Sequence, residues 1–335
     1  YGFSAQADYE LSFGTLTSIT AYRGSDLVQN SDGDFTTADM LGRFYTGTEI
    51  ETFTQELRVA GSHEVLDWMI GGFFFDETVS IDNELFYGQD FRAYAEILSG
   101  GAFSQIEGLL GFPTGTFGQA GAGLTEQYGV DNTAWSIFGT VDIDLRDDLV
   151  LTVGGNYTDD KKNAYGQMVN TDVFSSLDFV SIGNTVLYQT AFATTLAGYG
   201  IDATDPAQVA AFATANPAAF GQIQAGSQAF ADAYDTDPNV NSLLSAQALQ
   251  FLPPFVNFPN NVENGKTHDN KFTWTVRLNY EVNDNISVYG SYATGFKASS
   301  WNLSRDSRPF ASDAAALAAA GLTVNNLTYG TRYAD

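Results

Sequence analysis

Apolar and polar residues alternate strictly over 135–145. Trp135, Ile137, Gly139, Val141, Ile143 and Leu145 fall on one side, and Ser136, Phe138, Thr140, Asp142 and Asp144 on the other. Successive side chains of an extended strand point to opposite faces, so a period of two predicts a strand with one covered face. Arg146-Asp147-Asp148 breaks the pattern, and Leu149, Leu151, Val153, Gly155 and Tyr157 resume it, which predicts an antiparallel hairpin. The construction recurs with Phe272, Trp274, Val276, Leu278, Tyr280 and Val282, a turn at Asn283-Asp284-Asn285, and then Ile286, Val288, Gly290, Tyr292 and Phe296. Two weaker copies precede these, 5–11 with 16–23 and 53–60 with 67–76; within 68–75 both sides are apolar, and the alternation assigns no face.

The predicted hairpins therefore occupy 4–23, 53–76, 133–160 and 271–297. Their strands exceed the about 5 to 6 residues usual in globular sheets. Turns inside each hairpin are short and connections between hairpins are long, so every short turn lies at one end. A transmembrane β-barrel has this asymmetry, with strands of about 9 to 11 residues and aromatic girdles at both interfaces. Trp135, Tyr157, Phe272, Trp274 and Phe296 sit near the loop ends of their strands, where one girdle would fall. The pattern predicts an all-β membrane protein, an antiparallel transmembrane β-barrel. Trp135, Ile137, Val141, Ile143, Leu151, Val153, Trp274, Val276, Leu278, Val288 and Tyr292 are expected to face lipid.

The longest connection, 163–265, carries its own periodicity. Asp205-Pro206, Asn216-Pro217 and Asp237-Pro238 each place a capping side chain before a proline suited to the first helical position. Apolar stretches follow each, which predicts a helical insertion in a long extracellular loop. A serine, an alanine-rich run and a stopping glycine over 312–321 predict one more helix.

Composition narrows the chemistry. The chain of 335 residues has 40 acids against 14 bases, a formal charge of −26, which argues against nucleic acid as a partner. With no cysteine and only His63 and His268, thiolate metal sites, cysteine catalysis and histidine clusters are excluded, and no nucleotide-binding or hydrolase motif occurs. No catalytic residue, cofactor or metal site is therefore expected. The cluster of Asp26, Asp32, Asp34 and Asp39 suits a hard cation in chemistry but departs from known loop spacings, and a solvated polar loop is the simpler reading. His63, in a predicted periplasmic turn, and His268, beside a strand start, read as solvent-exposed residues.

Two predicted extracellular stretches, 93–145 and 163–265, carry acids and no Lys or Arg, and aromatics crowd the second long loop. Arg43, Arg92, Arg305 and Arg308 are few and separated. The expected ligand is therefore a neutral or cationic small molecule, stacked on Tyr87, Phe91, Tyr94, Tyr128 and Trp301.

The segment Val288-Tyr289-Gly290-Ser291-Tyr292-Ala293-Thr294-Gly295-Phe296-Lys297 resembles a barrel strand of TonB-dependent outer-membrane receptors. Leu16-Thr17-Ser18-Ile19-Thr20-Ala21-Tyr22-Arg23 and Phe53-Thr54-Gln55-Glu56-Leu57-Arg58-Val59 resemble earlier strands of the same barrel. Ser299-Ser300-Trp301 departs from the glycine pair that usually precedes the aromatic there. The resemblance spans all four hairpins and implies a partial barrel domain over 1–335, about eight strands of a barrel of about 22. It implies a bacterial outer-membrane receptor that imports a scarce nutrient of the siderophore-iron, vitamin or carbohydrate class. Energy would come from the TonB transducing complex, acting through a plug domain expected to lie outside this sequence. Two other readings stay open: a complete small outer-membrane barrel with a structural or adhesive role, and a soluble carbohydrate-binding β-sandwich.

Overall fold

The computed structural model describes residues 1–252, 255–303, 308–324 and 333–334. Eight strands, β1 (Gly2–Leu11), β2 (Gly14–Asn30), β3 (Leu41–His63), β4 (Leu66–Tyr87), β5 (Gly123–Arg146), β6 (Leu149–Asn170), β7 (Lys266–Asn283) and β8 (Ile286–Ala293), follow one another in a single antiparallel sheet in chain order. Four tight turns, at 12–13, 64–65, 147–148 and 284–285, lie at one end, and the connections 31–40, 88–122 and 171–265 lie at the other. All four expected hairpins are present.

Register fixes the faces. Gly61, Trp68, Val141, Val153, Val276 and Tyr292 align across six strands, and Leu57, Gly72, Ile137, Tyr157 and Phe272 form a parallel row. Every position expected to face lipid therefore lies on one face. The segment 68–75 is also resolved: Trp68, Ile70, Gly72 and Phe74 join the apolar face, and Met69, Phe73 and Phe75 the opposite one. That opposite face carries Asp8 with Thr17 and Asp142 with Thr152, each pair hydrogen-bonded across strands. Rings bound the apolar face at both ends. Toward the loops, Phe53 and Phe74 lie 6.3 Å apart, Trp135 and Tyr157 5.6 Å, and Trp274 and Tyr292 5.3 Å. Toward the turns stand Tyr9, Trp68 and Tyr280.

Glycines inside the strands make room for rings of the neighbouring strand. A Cβ at Gly71 would come within 2.7 Å of the Phe138 ring, and one at Gly155 within 3.0 Å of Phe272. These rings cover backbone that would otherwise be bare, which compensates the poor strand propensity of glycine.

Two boundaries differ from expectation. β3 to β6 run 22 to 24 residues, well past the apolar band, so the sheet continues beyond the upper belt as a wall with one polar face and one partly buried face. β8 stops at Ala293, so Phe296 lies beyond the strand. The cause is local: Trp274 N donates to the Thr294 hydroxyl at 2.9 Å, a side chain standing in for the next rung.

The helices are α1 (Phe91–Leu98), α2 (Ala102–Leu110), α3 (Phe179–Gly198), α4 (Pro206–Ala215), α5 (Pro217–Tyr234) and α6 (Ala314–Ala319). α4 and α5 start at the expected prolines, and Asp205 caps α4 by accepting from the Ala207 and Gln208 amides. After Asp237-Pro238 the expected helix is a 3₁₀ segment over 242–249, capped by Asn241 instead. α1, α2 and α3 were not expected; α1 and α2 lie in the 88–122 connection, outside the 163–265 insertion, and α3 inside it.

Candidate ligand-binding site

Two connections, 88–122 and 171–265, fold onto the wall above the belt and share one core. Leu85 and Tyr87 from β4 and Leu124 from β5 meet Phe91, Phe103, Ile106 and Phe117 from 88–122, and Phe174, Phe179 and Leu252 from 171–265. A second small core of Leu196, Phe212 and Ile223 holds α3, α4 and α5 together. Polar anchors lock this cap. The Glu107 carboxylate, 1% exposed, receives the Arg92 guanidinium at 2.5 Å and the amides of Phe117 at 2.8 Å and Gly115 at 3.1 Å. Burial alone would raise the Glu107 carboxyl, but these donors outweigh it and hold the group below the usual carboxylate range. Asn241, buried between α3 and α5, donates to the carbonyls of Phe179 and Asp235.

The five rings expected to bind ligand do not converge. Tyr87 and Phe91 stack on each other at 3.7 Å with nearly parallel planes, and both are buried in the cap core. The Tyr87 hydroxyl donates to Asp172, and burial followed by that carboxylate pushes its phenol up. Tyr128 is 1% exposed, its hydroxyl donating to buried Glu126 at 2.9 Å. Tyr94, on α1, is 47% exposed. Trp301 is half-buried and stacks on Phe258 at 5.4 Å. Rings at mixed spacing along a loop look alike in sequence whether they face inward or outward, so burial separates what composition joins.

The acidic cluster is a self-capped turn. The Asp34 carboxylate accepts the amides of Leu41, Met40 and Thr36 and the Thr36 hydroxyl, and these bonds, the Leu41 amide first, hold it below its ordinary value. Asp39 accepts the Gln89 amide, and Asp90 accepts the Asp39 amide. These carboxylates tie 31–40 to the start of α1, and the described residues contain no metal-ligating group of acids and histidines.

Bases near the cap are mostly neutralised. Arg43 pairs with Glu84, and Arg92 with Glu107; Arg305 lies outside the described residues. Sequence reasoning missed one basic group altogether. The β6–β7 register sets Lys161 opposite His268 and Asn163 opposite Lys266, joining residues that the whole 171–265 connection separates. His268, expected beside a strand start, sits just inside β7 and bonds Asp159 through Nε2 at 2.8 Å. It also missed buried Glu126 with its donors Asn83 and Tyr128, since nothing in the local pattern marks that carboxylate as covered.

The family described as TonB dependent receptor-like, beta-barrel matches residues 1–335. Among solved structures, the ferric yersiniabactin uptake receptor FyuA from Yersinia pestis aligns at a TM-score of 0.48 and 11% identity. That alignment covers 90% of this chain and 29% of the receptor, so the chain spans under a third of its length. No curated protein matches the sequence.

Proposed function

The chain belongs to the TonB-dependent receptor β-barrel family, and on that premise we propose that it is part of an outer-membrane receptor that imports a scarce nutrient. The observation that carries this reading is the apolar face bounded by ring belts, with tight turns at one end and a packed loop cap at the other. Such a band matches a bilayer crossed by strands, with the cap outside the cell and the turns facing the periplasm. The sheet supplies eight strands of a larger barrel, since an open sheet cannot stand in hydrocarbon. Energy would be delivered by the TonB complex through a plug domain. We assign no catalytic residue and no cofactor.

The cap also supports a ligand class. Its exposed polar surface is acidic, and Arg43 and Arg92 are already paired, so an anionic chelate would meet few free donors. We read the ligand as neutral or cationic, of the glycan, vitamin or uncharged metal-complex kind. Tyr94 and the half-buried Trp301 would each supply ring surface at separate places, while Tyr87, Phe91 and Tyr128 are buried.

Uptake of labelled candidate ligands by bacteria carrying the full-length receptor tests both parts. Uptake should require the receptor and vanish when the TonB complex is deleted; uptake that ignores the deletion would refute energy-coupled import. Tyr94→Ala and Trp301→Ala should weaken ligand binding about tenfold or more, the loss of one ring contact of about 1 to 3 kcal/mol. Tight binding of an anionic siderophore, abolished by Arg305→Ala or Arg308→Ala and untouched by the two ring variants, would refute the ligand class.

A further inference from the structure

Above the belt, the face opposite the apolar one holds a block of side chains that the nutrient site does not use. Across β5 and β6 the register sets Val130 opposite Ala164, Asn132 opposite Lys162, and Ala134 opposite Asp160. Thr267 and Asp269 of β7 continue the last two rows. Neighbours in one row of a sheet point the same way, so all of these share one face. The segment 299–301 lies along that face of β7: the buried Ser299 donates its amide to Asp269 at 3.0 Å, and the Trp301 indole donates to the Thr267 hydroxyl at 3.4 Å.

Burial separates this block from the other polar pairs of the sheet. Lys162 and Asp160 form an ion pair whose side chains are each only 11% exposed. Lysine is almost never so covered unless it is paired, and a covered amine beside a base becomes a nucleophile once its proton is drawn off. Asn132 Oδ1 is closed to solvent and accepts no hydrogen bond among the described residues, an arrangement that costs stability and calls for a reason. The amine and this carboxamide belong to directly opposite partners, whose Cβ atoms in such pairs lie about 4.5 to 5.5 Å apart. Rotation of the Lys162 side chain alone therefore carries Nζ from Asp160 to Asn132 Cγ. Val130, Ala134 and Ala164 frame the pair with small or apolar groups.

We propose that Lys162 and Asn132 are a self-modification site, at which an amide bond between their side chains joins β6 to β5. Asp160 takes one proton from the Lys162 ammonium. The freed Nζ lone pair attacks Asn132 Cγ, a second Nζ proton passes to Nδ2, and the Cγ–Nδ2 bond breaks as the Nζ–Cγ amide forms. The ammonia released takes the proton back from Asp160 and leaves as ammonium. The carboxylate is regenerated, and no oxidant, reductant or cofactor is consumed. An unaided amine and carboxamide do not condense in water; here the register holds them side by side, and the carboxylate that carries the proton is already bonded to the amine. The bond ties the β5–β6 hairpin where it rises above the belt to carry the cap, and it does not depend on which nutrient is imported.

The test takes the full-length receptor from outer membranes, unfolds it and measures its intact mass. The wild type should be lighter than its mature sequence by one ammonia. Its tryptic digest should contain peptide 93–146 joined through Asn132 to peptide 162–266, which stays uncut at Lys162. Asn132→Ala and Lys162→Arg should each restore the full mass and lose the joined peptide. Asn132→Asp keeps the carbon under attack and should give a joined peptide of the same mass as the wild type, now by loss of water. Asp160→Ala should cut the joined fraction about tenfold or more, the loss of a proton carrier. Lys271→Arg, a lysine on the same face, should change nothing. A folded wild type of full sequence mass would overturn the proposal, and that measurement needs no variant to fold. A joined peptide that survives Lys162→Arg or Asn132→Ala, or full joining in Asp160→Ala, would overturn it as well.

Discussion

Glu107 shows how much of the cap depends on one carboxylate. It gathers a guanidinium and two loop amides in a site closed to solvent, so removing its charge strands Arg92 and two amide donors together. Glu107→Gln should destabilise the 88–122 connection by about 2 kcal/mol, below the full cost of a buried pair because Arg92 keeps some contact with water. Hydrogen exchange at the Gly115 and Phe117 amides would report it; unchanged protection would show that the backbone holds without the carboxylate. The pH dependence has a definite sign. Since the folded carboxyl is held below its ordinary value, its stabilisation is complete above the unfolded pKa and is lost as pH falls through the lower folded one. Proteolytic cutting within 111–121 should therefore accelerate as the medium is acidified below about pH 4.5, the ordinary range for a glutamate. In Glu107→Gln that acid-induced step should be absent. None of this was visible beforehand: Glu107 is one acid among many in the sequence, and only the fold shows that it is covered.

At the level of strands and helices, the alternation pattern carried far because lipid and lumen impose a period of two on every residue between the belts. It failed where that constraint ends. Above the belt the belt's own face of β4 and β5 turns polar and the other is buried around polar groups such as Asn83 and Glu126, so stretches such as Glu77 to Glu84 read as loop although they continue the ladder. α3 went unread for a different reason: its many β-branched residues and its glycines mask a helix that is held by packing against α5 and by the Asp178 cap. The basic group of Lys161, Lys266 and His268 was hidden because register, which no local pattern shows, creates it. The faces themselves are testable. Val153 on β6, exposed on the apolar face, and Thr140 on the neighbouring β5 present opposite faces of the sheet. Val153→Arg should cost about 2 to 4 kcal/mol in a bilayer, as charge does near the middle of a lipid-facing band, and Thr140→Arg much less. Refolding of both full-length variants into micelles, followed by denaturant titration, would compare them; equal stability would mean that the faces are assigned the wrong way or that neither meets lipid.

At the scale of the whole molecule the sheet is open. β1 pairs only with β2 and β8 only with β7, and among the described residues no strand joins the two edges. In water an exposed edge is an aggregation hazard; in hydrocarbon it is far worse, because each amide or carbonyl without a partner costs several kcal/mol. β1 alone presents such groups along a strand of 10 residues, a penalty that the apolar face cannot offset, since that face would be covered by lipid in an open or a closed sheet alike. The 335-residue chain by itself should therefore not give a stable membrane-inserted monomer. Refolded into detergent, it should associate through its edges or remain extractable by urea, while a longer chain that supplies the missing neighbours of β1 and β8 should fold to a compact, heat-modifiable band. Electrophoresis with and without heating, together with size-exclusion chromatography, distinguishes the outcomes. A monodisperse, heat-modifiable monomer of the 335-residue chain would mean that β1 and β8 find each other, and that eight strands close a barrel without help.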